Sequence, residues 1–486
     1  MAALLDDRAP YRIPWLSLGV IRSRMRTIVN PHRVVGTFRV PASKSHTIRR
    51  LLIAALTDEV SSINYPLDSL DARSCAALCR ALGAAISEER TVDAACPNPP
   101  DEAGTRLISY TVRGWGKKGE GHNVSDTTLD VGNSGTTLFL ALAVAALNAA
   151  PITFTGDEQI RARSAAPLLD ALAGLGVTTR SVKGCAPITI QGPLRGGRVS
   201  LPCPTSQYLS ALLLAAPLAD ATVSTIIDVP LLNEKPYIEL TLSYLDAQGI
   251  TYEKAPNFSY FRVNGGQAYK PINGPVPADF SSAAFLAGIA AVTGGPLTLL
   301  GLDPQDAQGD KLVFAMLARM GCEVTWTQDG VTVCRSAPLH GCDFDLNDTP
   351  DLLPIMAVVA AYAEGATTLG NVAHARIKET DRIAVMAREL GKLDIHCTEK
   401  PDALIIQGGA VRGGAVDGHG DHRIVMALAV AALGATGPVE IAGAEAADVT
   451  YPGFLSLCGA VTLQDGAEAL EFKKFSSHRG AQTPGR

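Results

Sequence analysis

The chain has 486 residues, of which 47% are apolar and 19% charged, and its formal net charge is −6. These values are typical of globular proteins with large cores and exclude disorder, collagen or coiled coil as descriptions of the whole chain. The acidic balance and the lack of a long apolar run exclude nucleic acid and membranes as expected partners. Ten cysteines without a CxxC pair predict a reduced, cytoplasmic protein rather than a disulfide scaffold.

The two ends of the chain lack the periodicity of its interior. Residues 1–27 contain no basic stretch followed by an apolar segment, so they predict an irregular extension rather than a secretory signal. A first strand is predicted at 34–40, and residues 474–486 are predicted to be a flexible tail.

An internal repeat organises the rest of the chain. An alanine- and leucine-rich run, a small-residue turn and a β-branched strand recur six times, which predicts a repeated structural unit. Since each run is apolar on nearly every face, each is predicted to be a buried helix. The runs begin at His46, Thr136, Ser206, Ser282, Asp351 and His422.

A second, more polar helix and short strands are predicted between the copies, with helices at 72–82, 165–175, 237–248, 311–320 and 382–390. Six units cannot share one core at this length. We therefore predict an α/β protein of two domains, each with three units whose buried helices run parallel. Two prolines interrupt the pattern near 274–279, so domain two is placed at 43–278 and domain one at 28–42 plus 279–473. This double crossover would form a hinge beside an inter-domain ligand cleft.

Polar residues cluster where the buried helices begin, and the free N–H groups of a first helical turn attract anions. In PASKSHTIRR, Lys44, Ser45 and Arg49 add a charge, a hydroxyl and a guanidinium. In DVGNSGTTLF, Gly132 and Gly135 allow a ligand to approach the backbone closely. A capped helix and a structural turn remain the alternatives for these two motifs.

Two further motifs follow in the first half. GDEQIRARS places Arg161 and Arg163 just before another helix, and PTSQYL places Thr205, Ser206 and Gln207 at a helix start. On its own, PTSQYL predicts an N-cap.

The second half supplies acids beside cations. Asp351 opens a buried helix, IKETDR groups Lys378, Glu379 and Arg382, and HGDHRIVM contributes Arg423. An exposed, salt-bridged helix start is the alternative for IKETDR. Cations at helix starts in both halves suit a substrate with several anionic groups, and the acids suit proton transfer. The residues alone thus indicate a two-domain enzyme acting on phosphorylated, carboxylated small molecules.

A metal site is poorly supported. His419 and His422 could suggest one, but their spacing and the lack of cysteine partners argue against it. We predict neither a metal nor a cofactor.

From about residue 34 to 454 these motifs resemble those of the 5-enolpyruvylshikimate-3-phosphate synthases, a family of enolpyruvyl transferases. PASKS…R, GNSGTT, GD…R, SQ, KPY, D-FSSAAF, KETDR and DHR follow in the family order. The KETDR and DHR pair separates this family from UDP-N-acetylglucosamine enolpyruvyl transferase, which shares the fold. The resemblance implies transfer of the enolpyruvyl group of phosphoenolpyruvate to the 5-hydroxyl of shikimate 3-phosphate, with release of phosphate, in the shikimate pathway to aromatic amino acids.

The resemblance also implies roles for individual residues. The implied catalytic residues are Lys44, Asp351 and Glu379. The implied phosphoenolpyruvate-binding residues are Lys44, Gly135, Arg163, Gln207, Arg382 and Arg423. The implied shikimate 3-phosphate-binding residues are Lys44, Ser45, Arg49, Thr205, Ser206, Gln207, Tyr237, Asp351 and Lys378. We expect a monomer.

Three positions depart from the family pattern. Phe139-Leu140 stands where the family commonly has Arg followed by Pro or Leu, Val449 where it commonly has Lys, and Glu234 where bacterial relatives often have Ser. Val449 and Phe139 leave a catalytically impaired metabolite-binding homologue as one alternative. The UDP-N-acetylglucosamine transferase is the alternative of the same class.

In this family glyphosate occupies the phosphoenolpyruvate site, and members with Pro at the position of Leu140 tend to be sensitive. Leu140 and the lost cation at Val449 predict weakened glyphosate inhibition, with phosphoenolpyruvate affinity reduced less. Inhibition constants measured against phosphoenolpyruvate should differ by about tenfold between this chain and Leu140→Pro, which corresponds to about 1.4 kcal/mol. Equally strong inhibition of both would contradict the argument from Leu140.

Overall fold

A computed structural model of the chain describes residues 24–94, 96, 98–101, 103–115 and 127–463. The predicted tail and residues 1–23 of the predicted extension lie outside them. The extension was predicted to reach residue 27, but a strand already begins at Arg26 and pairs antiparallel with Val439–Ala442. The reason is the short β-branched run at this point, in which Thr27 and Val29 alternate inward.

The helices lie within a few residues of the predicted segments. In the part of the chain that the structure describes, no helix is long and apolar enough to cross a membrane. The α-helices are α1 Lys44–Ala55, α2 Leu70–Ala81, α3 Gly135–Ala145, α4 Glu158–Ala162, α5 Ala166–Gly174, α6 Gln207–Ala215, α7 Lys235–Gln248, α8 Phe280–Thr293, α9 Leu312–Arg319, α10 Leu353–Ala361, α11 Arg382–Lys392, α12 His422–Gly434 and α13 Phe454–Leu457. Short 3-10 helices occupy Ala216–Leu218, Gly309–Lys311, Pro350–Leu352, Ala373–Ile377 and Ala444–Val449.

The strands are short and follow the helices as the repeat predicts. They are β1 Arg26–Val29, β2 Gly36–Arg39, β3 Val60–Asn64, β4 Ala85–Thr91, β5 Arg106–Arg113, β6 Thr127–Asp130, β7 Ile152–Thr155, β8 Thr178–Val182, β9 Cys185–Gln191, β10 Gly197–Ser200, β11 Thr225–Asp228, β12 Tyr252–Lys254, β13 Tyr260–Val263, β14 Asn273–Pro275, β15 Leu297–Leu300, β16 Glu323–Trp326, β17 Gly330–Cys334, β18 Leu339–His340, β19 Asp343–Asp345, β20 Ala363–Glu364, β21 Ala366–Gly370, β22 Cys397–Lys400, β23 Ala403–Gln407, β24 Gly414–Asp417, β25 Val439–Ala442 and β26 Val461–Leu463.

Six four-stranded sheets in the described part of the chain repeat one plan. Each contains one parallel pair followed by two antiparallel pairs, as in the order β6-β7-β9-β8. The six predicted repeat helices are α1, α3, α6, α8, α10 and α12, and their side chains are buried along nearly their whole length. The predicted α/β class and its sixfold unit are thereby confirmed.

The buried side chains of the described residues form two separate hydrophobic clusters. The first cluster spans residues 48–276, and the second cluster combines residues 29–40 with 278–458. The chain passes between them twice, and the two passages lie side by side: Ala42 bridges Ala278 in antiparallel fashion, and the Ser43 N–H donates to the Pro277 carbonyl at 2.8 Å. As a result β2 joins the sheet of β15 in the second cluster, and β14 joins the sheet of β3 in the first.

Side-chain caps fix where the strands turn into the repeat helices. The Ser43 hydroxyl accepts from the His46 N–H at the start of α1, and the Ser134 hydroxyl accepts from the Thr137 N–H at the start of α3. These caps satisfy N–H groups that would otherwise lack a partner, so the chain is held in one path at each helix start.

Close approach of two buried helices generates a stability prediction. A Cβ added at Gly288 in α8 would lie 2.4 Å from Cδ1 of the fully buried Ile355 in α10. Gly288→Val should therefore lower the free energy of unfolding by about 1–3 kcal/mol through overpacking. Denaturant unfolding measures this, with Gly391→Val as the matched control: Gly391 also lies in a helix, but a Cβ there meets open space. Equal effects of the two substitutions would contradict the packing argument.

Candidate active site

A cavity of about 770 Å³ opens among the starts of the repeat helices. Helices α1, α3 and α6 contribute residues from the first cluster region, and the starts of α8, α11 and α12 together with the segments before α10 and α11 contribute residues from the second. Every site residue predicted from the sequence lines this cavity: Lys44, Ser45, Arg49, Gly135, Arg163, Thr205, Ser206, Gln207, Tyr237, Asp351, Lys378, Glu379, Arg382 and Arg423.

The guanidinium of Arg382 lies at the centre of the acidic side of the cavity. Its side chain is 1% exposed and binds Asp351 at 2.8 Å, Glu379 at 2.6 Å and Asp421 at 2.8 Å. Burial by itself would lower the pKa of Arg382, but the three carboxylates outweigh it and raise that pKa. Arg382 therefore stays charged and holds three acids in one fixed arrangement.

Two of these acids have a second cation each. Arg423 donates to Asp351 at 2.7 Å, and Arg163 lies 3.0 Å from Glu379. Burial raises the pKa of both carboxyl groups, but the surrounding Arg and Lys charges outweigh burial and hold each pKa below its usual range. Both groups are therefore carboxylates at neutral pH.

The cation Arg163 keeps unused donors. Its Nη2 is near Glu379 without the alignment of a hydrogen bond, and among the described residues its Nε and Nη2 have no hydrogen-bond partner. A Cβ at Gly135 would lie 2.3 Å from Arg163 Nη1, so the glycine leaves room for this guanidinium. Buried N–H groups without partners are costly, which favours an anionic ligand at this place.

A second buried cation, Arg49, rests on neutral oxygens. It donates to Thr241 at 3.0 Å, to Ser210 at 3.4 Å and to the backbone carbonyls of Ser45 and Tyr237. Burial lowers the pKa of Arg49 to about 10, so the side chain is still charged at neutral pH. No carboxylate is among its described hydrogen-bond partners, which leaves its charge available to a ligand.

The structure adds one residue that the sequence analysis missed. Lys44 lies 3.2 Å from Asp71, which is buried in the first turn of α2. Burial raises the pKa of Asp71, and Lys44 opposes that rise. The only sequence signal was an acid in the first turn of a helix, which usually indicates a favourable dipole interaction on a solvated surface.

At the start of α6 the capping hydroxyl belongs to Thr205, which accepts from the Gln207 N–H at 3.5 Å. Ser206 itself makes no capping hydrogen bond, and its N–H and hydroxyl donate to Glu234 at 3.0 and 2.8 Å. Thr205 donates to the same oxygen at 3.2 Å, and Lys378 pairs with the other oxygen. One of the three departures from the family pattern thus lies inside the cavity and holds three of the predicted binding residues.

Of the other two departures, one also reaches the cavity and one lies beside it. Phe139 lines the cavity and packs edge-on against Tyr208, with ring centroids 5.2 Å apart. Leu140 is fully buried in α3. Val449 ends a 3-10 helix, and its neighbour Thr450 lines the cavity.

The two histidines considered above as possible metal ligands lie in different environments. His419 lies 2.9 Å from Glu389, whereas His422 lines the cavity and its pKa is lowered to about 3 by burial and by Lys44. In the described part of the chain, no group of three or more His, Cys, Asp or Glu residues is placed to hold a metal.

Comparisons with known proteins agree on one family. The family profile described as EPSP synthase (3-phosphoshikimate 1-carboxyvinyltransferase) matches residues 28–457. A 3-phosphoshikimate 1-carboxyvinyltransferase of Acetivibrio thermocellus is 44% identical over 437 residues, which cover 89% of this chain and 98% of that protein. One of Halobacterium salinarum is 40% identical over 456 residues, covering 92% and 98%. A solved EPSP synthase of Acinetobacter baumannii has a TM-score of 0.73 at 26% identity and covers 90% of this chain and 100% of that one.

The buried network around Arg382 generates a prediction. Lysine keeps the charge but cannot donate to three carboxylates in the planar arrangement of a guanidinium. Arg382→Lys should therefore lower the free energy of unfolding by about 3 kcal/mol, the loss of one or two charge-assisted hydrogen bonds. In the control Arg412→Lys, the exposed pair with Asp394 should change stability by less than about 0.5 kcal/mol. Denaturant unfolding of both variants is the measurement, and similar values would contradict a central role for Arg382.

Proposed function

The chain belongs to the EPSP synthase family and is a 3-phosphoshikimate 1-carboxyvinyltransferase of the shikimate pathway, and from this premise we propose that its cavity binds shikimate 3-phosphate and phosphoenolpyruvate side by side. Each substrate carries a phosphate and a carboxylate, so the pair brings four anionic groups. The names of the relatives give no support to a UDP-N-acetylglucosamine transferase. We further propose a monomeric, cytoplasmic enzyme whose two hydrophobic clusters correspond to two domains.

One observation carries this proposal: cations from both clusters converge on a single cavity around two ionised carboxylates. Lys44 and Arg163 come from the first cluster region, and Lys378, Arg382 and Arg423 from the second. Such a charge arrangement suits a pair of polyanionic substrates held between two bodies.

We assign the two sides of the cavity to the two substrates. Phosphoenolpyruvate would lie on the side of Arg163, whose donors are unused, together with Lys44, Gly135, Gln207, Arg382 and Arg423. Shikimate 3-phosphate would lie on the side of Arg49, together with Lys44, Ser45, Thr205, Ser206, Gln207, Tyr237, Asp351 and Lys378. Arg49 suits an anion because its described partners are neutral oxygens.

In the first chemical step the 5-hydroxyl oxygen of shikimate 3-phosphate bonds to C2 of phosphoenolpyruvate, and C3 gains a proton. Asp351 accepts the hydroxyl proton: its arrangement is fixed by Arg382, Arg423 and the Tyr237 hydroxyl at 3.3 Å, and its pKa, which these cations and Lys378 hold low, should rise when substrate anions share their charge. The product of this step is a tetrahedral ketal phosphate. Lys44 and the guanidinium groups stabilise the negative charge on its carboxylate and phosphate.

Glu379 delivers a proton to C3 in the first step and removes one from C3 in the second. In the free enzyme it is a carboxylate paired with Arg163 and Arg382. When the anionic groups of phosphoenolpyruvate approach these two cations, the pKa of Glu379 should rise, so that it can take up a proton and deliver it to C3. In the second step the C2–O bond to phosphate breaks, and Glu379 removes a C3 proton as the C2–C3 double bond re-forms, which gives the enol ether product and free phosphate. Closure of the two bodies around the cavity would exclude water from both steps.

The deciding assay is phosphate release from phosphoenolpyruvate. Release should require shikimate 3-phosphate and should not occur with UDP-N-acetylglucosamine in its place. No substrate-dependent phosphate at high enzyme concentration would contradict catalysis. Tight shikimate 3-phosphate binding in calorimetry without turnover would identify an impaired binding homologue instead.

Replacing Glu379 tests the proton transfer. Glu379→Gln keeps the volume but removes the titrating group, so kcat should fall by roughly 10²-fold or more while the KM values change little by comparison. Glu440→Gln, which alters an exposed pair with Arg26, is the matched control and should retain wild-type kcat. Steady-state kinetics are the measurement. An unchanged kcat in Glu379→Gln would reduce Glu379 to a structural partner of its two arginines.

A further inference from the structure

Glu234 places a carboxylate of the protein itself inside the substrate cavity. Its side chain is 2% exposed, and it lies among the cavity-lining residues. One oxygen accepts from the Ser206 N–H at 3.0 Å, the Ser206 hydroxyl at 2.8 Å and the Thr205 hydroxyl at 3.2 Å. The other oxygen pairs with the ammonium group of Lys378. Four donors therefore converge on a single carboxylate.

These donors come from both hydrophobic clusters. Thr205 and Ser206 lie at the start of α6 in the first, and Lys378 lies just before α11 in the second. Burial raises the pKa of Glu234, but the charge of Lys378 outweighs burial and holds that pKa below its usual value. Glu234 is thus an anion at neutral pH that joins the two sides of the cavity.

The backbone also holds Glu234 in place. Its φ of 59° and ψ of 44° lie in the left-handed region, which is uncommon for a residue with a Cβ. The Glu234 N–H donates to the carbonyl of Asn347 at 3.3 Å, and its own carbonyl accepts from the Tyr237 N–H at 3.1 Å. The conformation is fixed at both ends, so the carboxylate is directed into the donors.

This arrangement conflicts with a second anion at the same place. The donors of Thr205, Ser206 and Lys378 are those that the proposed function assigns to shikimate 3-phosphate. A hydroxyl has only one hydrogen to donate, so it cannot serve the Glu234 carboxylate and a ligand phosphate together. A phosphate beside an ionised carboxylate would also be repelled.

Resting on the proposed function, we propose that Glu234 is a specificity-determining residue: a resident carboxylate that the phosphate of the acceptor substrate must displace from these donors. Glu234 thereby weakens binding of the phosphorylated acceptor and of inorganic phosphate, while ligands without a phosphate are unaffected. The carboxylate serves as the anion of this subsite when no substrate is bound, so that the Thr205 and Ser206 donors at the α6 start have an acceptor and Lys378 has a close counter-ion besides Asp351.

The test compares ligands that differ only in the phosphate. Glu234→Gln keeps the shape and loses the charge, and Glu234→Ser removes the competing group. The KM for shikimate 3-phosphate should fall by about tenfold or more in both variants. The inhibition constant of unphosphorylated shikimate and the KM for phosphoenolpyruvate should stay within about twofold. Calorimetry with inorganic phosphate should show tighter binding to Glu234→Gln than to the wild type. Glu239→Gln, at an exposed position of the same helix, is the control and should match the wild type.

Three results would overturn the proposal: an unchanged or higher KM for shikimate 3-phosphate, an equal change for shikimate and shikimate 3-phosphate, or no gain in phosphate binding. If a variant is less stable, calorimetric titration below its unfolding temperature still measures the affinities of the folded protein. Absence of turnover in the wild type would instead contradict the proposed function. The comparison of inorganic phosphate binding between the wild type and Glu234→Gln would still test the role of Glu234.

Discussion

The pairing of one buried guanidinium with three carboxylates is the constraint on which the site depends. Asp351, Glu379 and Asp421 could not remain ionised away from water without Arg382 between them. One cation among three anions still leaves negative charge, and Arg163 and Arg423 supply the compensation from the neighbouring walls. No member of this set is independent of the others, so the acids that move protons and the cations that bind substrate are parts of one electrostatic structure.

The fold explains why these groups can meet. Six copies of one helix-and-sheet unit direct the starts of their buried helices toward a common cavity, where N–H groups and capping side chains already favour anions. The apolar helices bury their sides in the two clusters and leave their ends for polar residues. The buried sides of the helices therefore stabilise the fold, and the polar residues at the helix starts bind substrate and transfer protons. This division allows a densely charged cavity beside two large apolar cores.

Much of this could be predicted from the sequence, because the signal was local. A run such as 280–293 is apolar on every face, and a motif such as KETDR keeps a cation and an acid within one turn. What could not be predicted depends on contacts between distant residues. Nothing near Ser206 indicates that its hydroxyl donates to a glutamate 28 positions later, and nothing near Lys44 indicates that its partner is Asp71. Strand β1 was missed because four residues carry too little periodicity without the neighbours with which they pair.

The second cluster takes segments from both sides of the first, and this has a consequence for the growing chain on the ribosome. Strand β2 is synthesised before the first cluster, but its parallel partner β15 follows only after the entire first cluster has been made. Likewise, the sheet of β3 stays incomplete until β14 emerges at the end of that cluster. An early strand with no neighbour exposes unpaired N–H and carbonyl groups, and such non-local pairing slows folding. The first cluster can be compact while β2 still lacks its partner, so during translation the first cluster should fold before the second, and the substrate cavity should form last.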